Sequence, residues 1–196
     1  MGKQLIIKNA DFSSVAISEE NLDTTAYENF TFRTLFETNN LLGISAGFES
    51  GSFSPLRATV GTAVITDEIS DSGTYSLKAF GNASCYVQNS TVLSETLLLA
   101  CRVRCDRYIS GISGVIFKDD GAITTETTGG EFVTKTALIT KTAGNLFVGN
   151  AVRANADTYI DTPVVVNINI FGSVPSLELF TNLYDRYVNI KKKSQN

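Results

Sequence analysis

The sequence predicts an all-β domain flanked by an N-terminal extended arm and a short C-terminal helix. Three observations carry that prediction. Thr, Ser, Val, Ile, Gly and Asn are plentiful while Met occurs once, a bias that suits pleated strands and tight turns. Turn-forming clusters recur at short intervals between apolar runs. A stripe with helical spacing occurs only at the end of the chain, so the inter-strand helices of a parallel α/β fold have no source.

Taken in order, residues 1–40 form the arm. Leu5-Ile6-Ile7 reads as a short strand, and Ala10-Asp11-Phe12-Ser13-Ser14 as a turn. Tyr27, Phe30, Phe32 and Phe36 follow without a clear helical stripe, and residues 30–36 could form a strand. An arm this rich in aromatics either docks onto a partner or wraps its own domain, and both readings stay open here.

Residues 41–171 carry the strands. The expected runs are 47–48, 63–69, 75–79, 85–87, 96–105, 112–117, 132–140, 145–152 and 158–170. Between them lie Glu49-Ser50-Gly51, Ser70-Asp71-Ser72-Gly73, Gly81-Asn82, Lys118-Asp119-Asp120-Gly121, Thr128-Gly129-Gly130 and Ala143-Gly144-Asn145. These are turn formers, several of which tolerate positive φ. Residues 172–196 supply the helix and a basic tail. Pro175 and Ser176 open the helix, and Glu178 sits in its first turn. Leu177, Phe180, Leu183, Tyr184 and Tyr187 make its apolar stripe. Lys191-Lys192-Lys193 reads as a solvated tail.

At 196 residues, with 43% hydrophobic and 18% charged side chains, the chain is long enough for one globular domain with appendages. A net charge of −4 argues against nucleic-acid binding. No apolar run approaches the roughly 18 residues of a membrane-spanning helix, and the opening lacks the apolar stretch of a signal peptide. The expectation is therefore a chain made in the cytoplasm, with no membrane insertion.

Cys85, Cys101 and Cys105 do not resemble a secreted disulfide framework. Cys101 and Cys105 share one strand face about 13 Å apart, too far for a disulfide or a common metal ion. With no His in the chain, buried free thiols are expected. The missing His also removes the usual general base and triad partner. The carboxylate pairs Asp67-Glu68 and Asp119-Asp120 fall in turns, where neighbours in sequence are poor catalytic dyads. No Gly-rich phosphate loop is present. The reading is of a non-enzyme.

Three stretches resemble carbohydrate-binding-module-like jelly rolls. Asn40-Leu41-Leu42 with Ala46-Gly47-Phe48-Glu49-Ser50-Gly51 is similar to their opening motif. Ser72-Gly73-Thr74-Tyr75-Ser76-Leu77-Lys78 is similar to the hairpin that follows it, and Asp157-Thr158-Tyr159-Ile160-Asp161-Thr162-Pro163-Val164 to the closing strand. The resemblance implies an antiparallel jelly-roll β-sandwich. The segment Val166-Asn167-Ile168-Asn169-Ile170-Phe171-Gly172-Ser173-Val174-Pro175-Ser176 resembles an element of phage tail and fibre proteins that leads into a short helix, departing from it at Val174. Residues 1–13 look like the leader of structural proteins from phages of gut Bacteroidales.

Those resemblances imply a virion structural protein: a fibre, appendage or capsid decoration located on the virion. It would be attached to other virion proteins through the arm, be homo-oligomeric, and use its jelly roll for assembly and host-surface attachment. The alternative they imply is a module that recognises cell-surface polysaccharide, with a host glycan as partner. No cofactor is expected beyond one structural Ca²⁺, which the jelly-roll resemblance places between Glu49 and Asp161; hard oxygen ligands suit that ion. Turn-capping or surface carboxylates are the competing reading. A sugar needs an aromatic platform. Trp is absent, leaving Tyr86, Tyr108, Phe117 and Phe132 as candidates, although strand aromatics are more often core residues.

Overall fold

A computed structural model describes residues 4–8, 14–18, 32–43, 47–52, 57–87, 95–105, 114–115, 124–125, 128–141, 146–149 and 157–193. The fold is mostly antiparallel β with one C-terminal helix, as the sequence predicts. The strands are β1 (Gln4–Lys8), β2 (Ser14–Ser18), β3 (Arg57–Thr66), β4 (Ser76–Val87), β5 (Glu95–Cys105), β6 (Gly114–Val115), β7 (Thr124–Thr125), β8 (Val133–Lys141), β9 (Leu146–Gly149) and β10 (Asp157–Asn167). The helix α1 spans Leu177–Lys193.

One six-stranded sheet organises the molecule. Its order is β3-β4-β10-β5-β8, and β9 pairs with the far half of β4. The hairpins β1–β2 and β6–β7 are separate two-stranded sheets. In β5, alternation sends Leu97, Leu99, Cys101 and Val103 to one face and Leu98 and Ala100 to the other. Both faces are buried, which explains why residues 97–101 form a continuous apolar run rather than an alternating one. Each fully buried Leu or Val contributes about 1.5–3 kcal/mol.

On the first face Leu77, Ile160 and Val165 join that β5 set, with Leu42 and Phe48 packed against them. On the second face lies α1, whose Phe180, Leu183, Tyr184, Tyr187 and Val188 are buried. Leu177, expected in the stripe, stays exposed at the first turn. The Ser176 hydroxyl caps the helix by accepting the Leu179 N–H at 3.1 Å. Leading into it, β10 gives way to a 3-10 turn at Ile168–Ile170, where the Asn167 side chain accepts the Asn169 N–H.

Several expectations need correction. Residues 32–38 are helical, with a π-turn at Thr34–Thr38, rather than a strand. Phe32, Leu35 and Phe36 then fall on one face and enter the core beneath α1. The described end of the arm thus wraps its own domain. Gly47-Phe48 is not a strand but leads into a turn at Glu49-Ser50. Gly81-Asn82 lies inside β4, because Thr62 pairs with Phe80 and Val60 with Ser84, so a bulge absorbs the extra residues. The basic run is the last turn of α1, and Lys191 and Lys192 reach back over the sheet. Cys101 and Cys105 are buried thiols in β5 that form no disulfide, as expected; burial pushes the Cys101 thiol up.

Candidate functional site

Among the described residues, two places concentrate polar chemistry. The first is a bulge in β10, where the pairing with β5 jumps from Asp161 to Val164. Thr162 takes φ 46° there, a left-handed conformation that is unusual for a β-branched residue and costs roughly 1–3 kcal/mol. Its surroundings hold it in place. The Tyr184 hydroxyl donates to the Thr162 carbonyl at 2.8 Å, and the Ser72 and Thr162 hydroxyls share a hydrogen bond at 3.0 Å. Asn40 repairs the interrupted ladder: its amide donates to the Pro163 carbonyl and its Oδ1 accepts the Val165 N–H.

Asp161 is fully buried beside this bulge. Its Oδ2 accepts the backbone N–H groups of Asp71 and Ser72, each at 2.8 Å, and its Oδ1 accepts the Thr162 hydroxyl at 2.9 Å. Burial raises the affinity of this carboxyl for a proton, while the Ser72 N–H and the Lys191 charge oppose the shift. Asp71 is itself clamped. Its carboxylate pairs with the Arg102 guanidinium at 2.7 Å and the Lys192 ammonium at 2.8 Å. Arg102 also donates to the Phe132 carbonyl and the Thr134 hydroxyl, and Thr134 donates to Asp185 of α1.

Glu49 lies across a cleft of about 300 Å³ whose walls include Glu49, Gly47, Asn40, Thr162, Pro163 and Lys191. Its Oε2 accepts the Thr74 N–H at 2.8 Å. Gly73, at φ +79°, packs so closely that an added Cβ would fall 2.1 Å from the Glu49 carboxylate. A Ca²⁺ ion shared by Glu49 and Asp161 would need both carboxylates turned to one point. Here both Asp161 oxygens receive N–H or O–H donors, and the cleft contains an ammonium. Among the described residues no cluster of three Asp, Glu, Cys or His side chains surrounds a common centre. This donor set suits an ammonium better than a divalent ion.

Of the aromatic candidates, Phe132 precedes β8, half-buried. Tyr86 lies in β4, paired with Arg57 of β3 and Phe147 of β9. Tyr108 and Phe117 lie outside the described residues.

The second place is an open stretch of sheet on the α1 side, which sequence reasoning missed. Register aligns Val64, Lys78, Tyr159 and Arg104 in one row across four strands, with Thr62, Phe80 and Asp157 in the next row. The Phe80 ring is 46% exposed and Val64 42%, forming an apolar platform on diagonal positions. Charged groups border it. The Lys78 ammonium pairs with Glu68 at 2.7 Å and Asp157 at 3.2 Å, and lies 5.6 Å from the centre of the Tyr159 ring. The Tyr159 hydroxyl donates to Glu68 at 3.2 Å. The Lys78 hydrogen bond holds the Glu68 carboxyl below its ordinary range, and the same bond raises Lys78. The face therefore offers a ring, two carboxylates and an ammonium fixed by one another. The signal was present in sequence as Leu77-Lys78-Ala79-Phe80, whose alternation puts Lys78 and Phe80 on one face.

No protein-family model matches the chain, and no curated protein matches it. Solved structures with partial likeness include the CBM22-1 xylan-binding domain of Paenibacillus barcinonensis Xyn10C. That comparison has a TM-score of 0.47 and 16% identity over 62% of this chain and 91% of the other. A second is TmCBM61 in complex with β-1,4-galactotriose, at TM-score 0.43 and 19% identity, covering 63% of this chain and 95% of that one. A third is the enzymatically active domain of bacteriophage CBA120 tailspike protein 4, at TM-score 0.40 and 11% identity, covering 66% of this chain and 22% of that one. At these identities and scores the likenesses assign neither a family nor a ligand to this chain.

Proposed function

We propose that this chain is a non-catalytic carbohydrate-binding domain that receives a glycan on the open face around Phe80. The observation that carries the reading is the exposed Phe80 ring beside the Glu68–Lys78–Asp157 network. The apolar face of a pyranose stacks on such a ring. Carboxylates accept from hydroxyls and an ammonium donates to them, so the border complements the hydroxyl rim of a sugar. Because these polar groups are already mutually oriented, little side-chain entropy is lost on binding. The sequence resemblance to carbohydrate-binding jelly rolls supports the same reading. Screening the purified protein on a glycan array, followed by calorimetry with Phe80→Ala, tests it. A glycan that loses about tenfold or more in affinity supports the assignment; unchanged affinity rejects this face.

A second reading concerns where the domain works. Residues 1–13 and 166–176 resemble phage structural proteins, and β1–β2 forms a hairpin separate from the six-stranded sheet. These features favour a virion component that uses its first residues for attachment. Removing residues 1–31 would then abolish incorporation into virions while glycan binding persists. Incorporation that survives the truncation rejects this use of the arm.

A further inference from the structure

The cleft beside Asp161 has an unusual construction. The two non-glycine residues with positive φ among the described residues are Phe48, at 64°, and Thr162, at 46°. Phe48 sits between the wall residues Gly47 and Glu49, and Thr162 belongs to the opposite wall. Strain of this kind persists only where surrounding contacts over-determine it. At Phe48 the cause is burial: the ring is 0% exposed in the sheet core. At Thr162 the fixed groups are the hydrogen bonds already described, together with a cation.

That cation is Lys191 from the last turn of α1. Its ammonium lies 3.4 Å from the Thr162 hydroxyl, which in turn donates to Asp161 Oδ1 at 2.9 Å. It lies 5.8 Å from the centre of the Tyr187 ring on the other side. A methyl group placed on Gly47 would come within 3.2 Å of it, so the glycine leaves room for the ammonium against the backbone of the opening segment. The position is thus framed by the opening segment, the β10 bulge and α1. A buried carboxylate close by needs a compensating positive charge, because an uncompensated ion in a low-dielectric interior is costly.

We propose that the Lys191 ammonium is the resident cation of the seat between Gly47 and the Asp161–Thr162 bulge, making this domain independent of divalent metal. The C-terminal helix thereby supplies as a covalent side chain the charge that a bound ion would otherwise bring. Two consequences follow. The helix end and the opening segment are coupled through one point charge, and chelators leave the native state untouched.

The test is thermal unfolding of the full chain in EDTA and in millimolar CaCl₂, for the wild type, Lys191→Met, Lys191→Arg and Lys193→Met. Met keeps the apolar stem and removes the charge, Arg keeps the charge, and Lys193 is exposed one turn end away. The expected result is one wild-type midpoint in both buffers. Lys191→Met should fall by roughly 3–6 °C, Lys191→Arg by less, and Lys193→Met should stay at the wild-type value. A wild-type midpoint that rises with CaCl₂ would overturn the proposal, as would Lys191→Met melting with the wild type. Loss in Lys191→Arg equal to that in Lys191→Met would also overturn it, since charge would then not be the operative property.

Discussion

Replacing Phe36 by Ala separates the two uses that an aromatic arm could have. Phe36 is 1% exposed and touches four other rings, with centroids 6.0 Å away for Phe32, 5.9 Å for Phe180, 5.8 Å for Tyr184 and 5.0 Å for Tyr187. Truncating a fully buried Phe costs about 3–5 kcal/mol, combining lost transfer energy with the cavity left behind. The upper half applies here, because three of the four partner rings are held by α1 and cannot collapse independently. In a chain of this size each kcal/mol lowers the melting midpoint by about 2–4 °C, so a fall on the order of 10 °C or more is expected. Urea unfolding followed by circular dichroism measures the free energy directly, with an unchanged slope showing that only the native state is affected. A loss below about 1 kcal/mol would refute the packing described here. It would mean that residues 32–38 are held for a partner rather than for their own domain.

Two further outcomes follow from single contacts. Tyr184→Phe leaves the buried Thr162 carbonyl without its donor, which should cost about 1–3 kcal/mol; equal stability of the variant would show that the left-handed bulge does not depend on α1. In a Cys85→Ser background, a thiol reagent such as DTNB should find no reactive group in the native protein and two after denaturation, because Cys101 is 0% and Cys105 4% exposed and burial pushes the Cys101 thiol up. Rapid native labelling would contradict the placement of β5.

What was legible in the sequence follows from local physics. β5 and β10 announce themselves as short, dense apolar runs bounded by turn formers, and α1 by its helical stripe. The helical turns at residues 32–38 were harder to see. Phe32, Leu35 and Phe36 have helical spacing, but the segment is barely two turns long, and only packing under α1 makes it helical. Gly81-Asn82 carries a turn signature that the bulge opposite Val60 and Thr62 overrides. A turn at Gly81-Asn82 ends the predicted strand at Ala79 and places Phe80 at its boundary, which hides the ring's position on the sheet face. The environment of Asp161 was invisible for another reason. Its N–H donors come from Asp71 and Ser72, about 90 positions away, and no local pattern encodes that meeting. The same holds for Lys191, whose basic neighbours in sequence favoured a solvated tail.

Sugar binding on the open face around Phe80 is the function proposed for this domain. Calorimetric titration of the wild type and Phe80→Ala with the strongest glycan from an array tests it most directly. Saturable binding by the wild type and a loss of about tenfold or more in the variant are expected, with the melting midpoint unchanged because the ring is half-exposed. Saturable binding of equal strength in both proteins, or no glycan bound by the wild type at all, would contradict it.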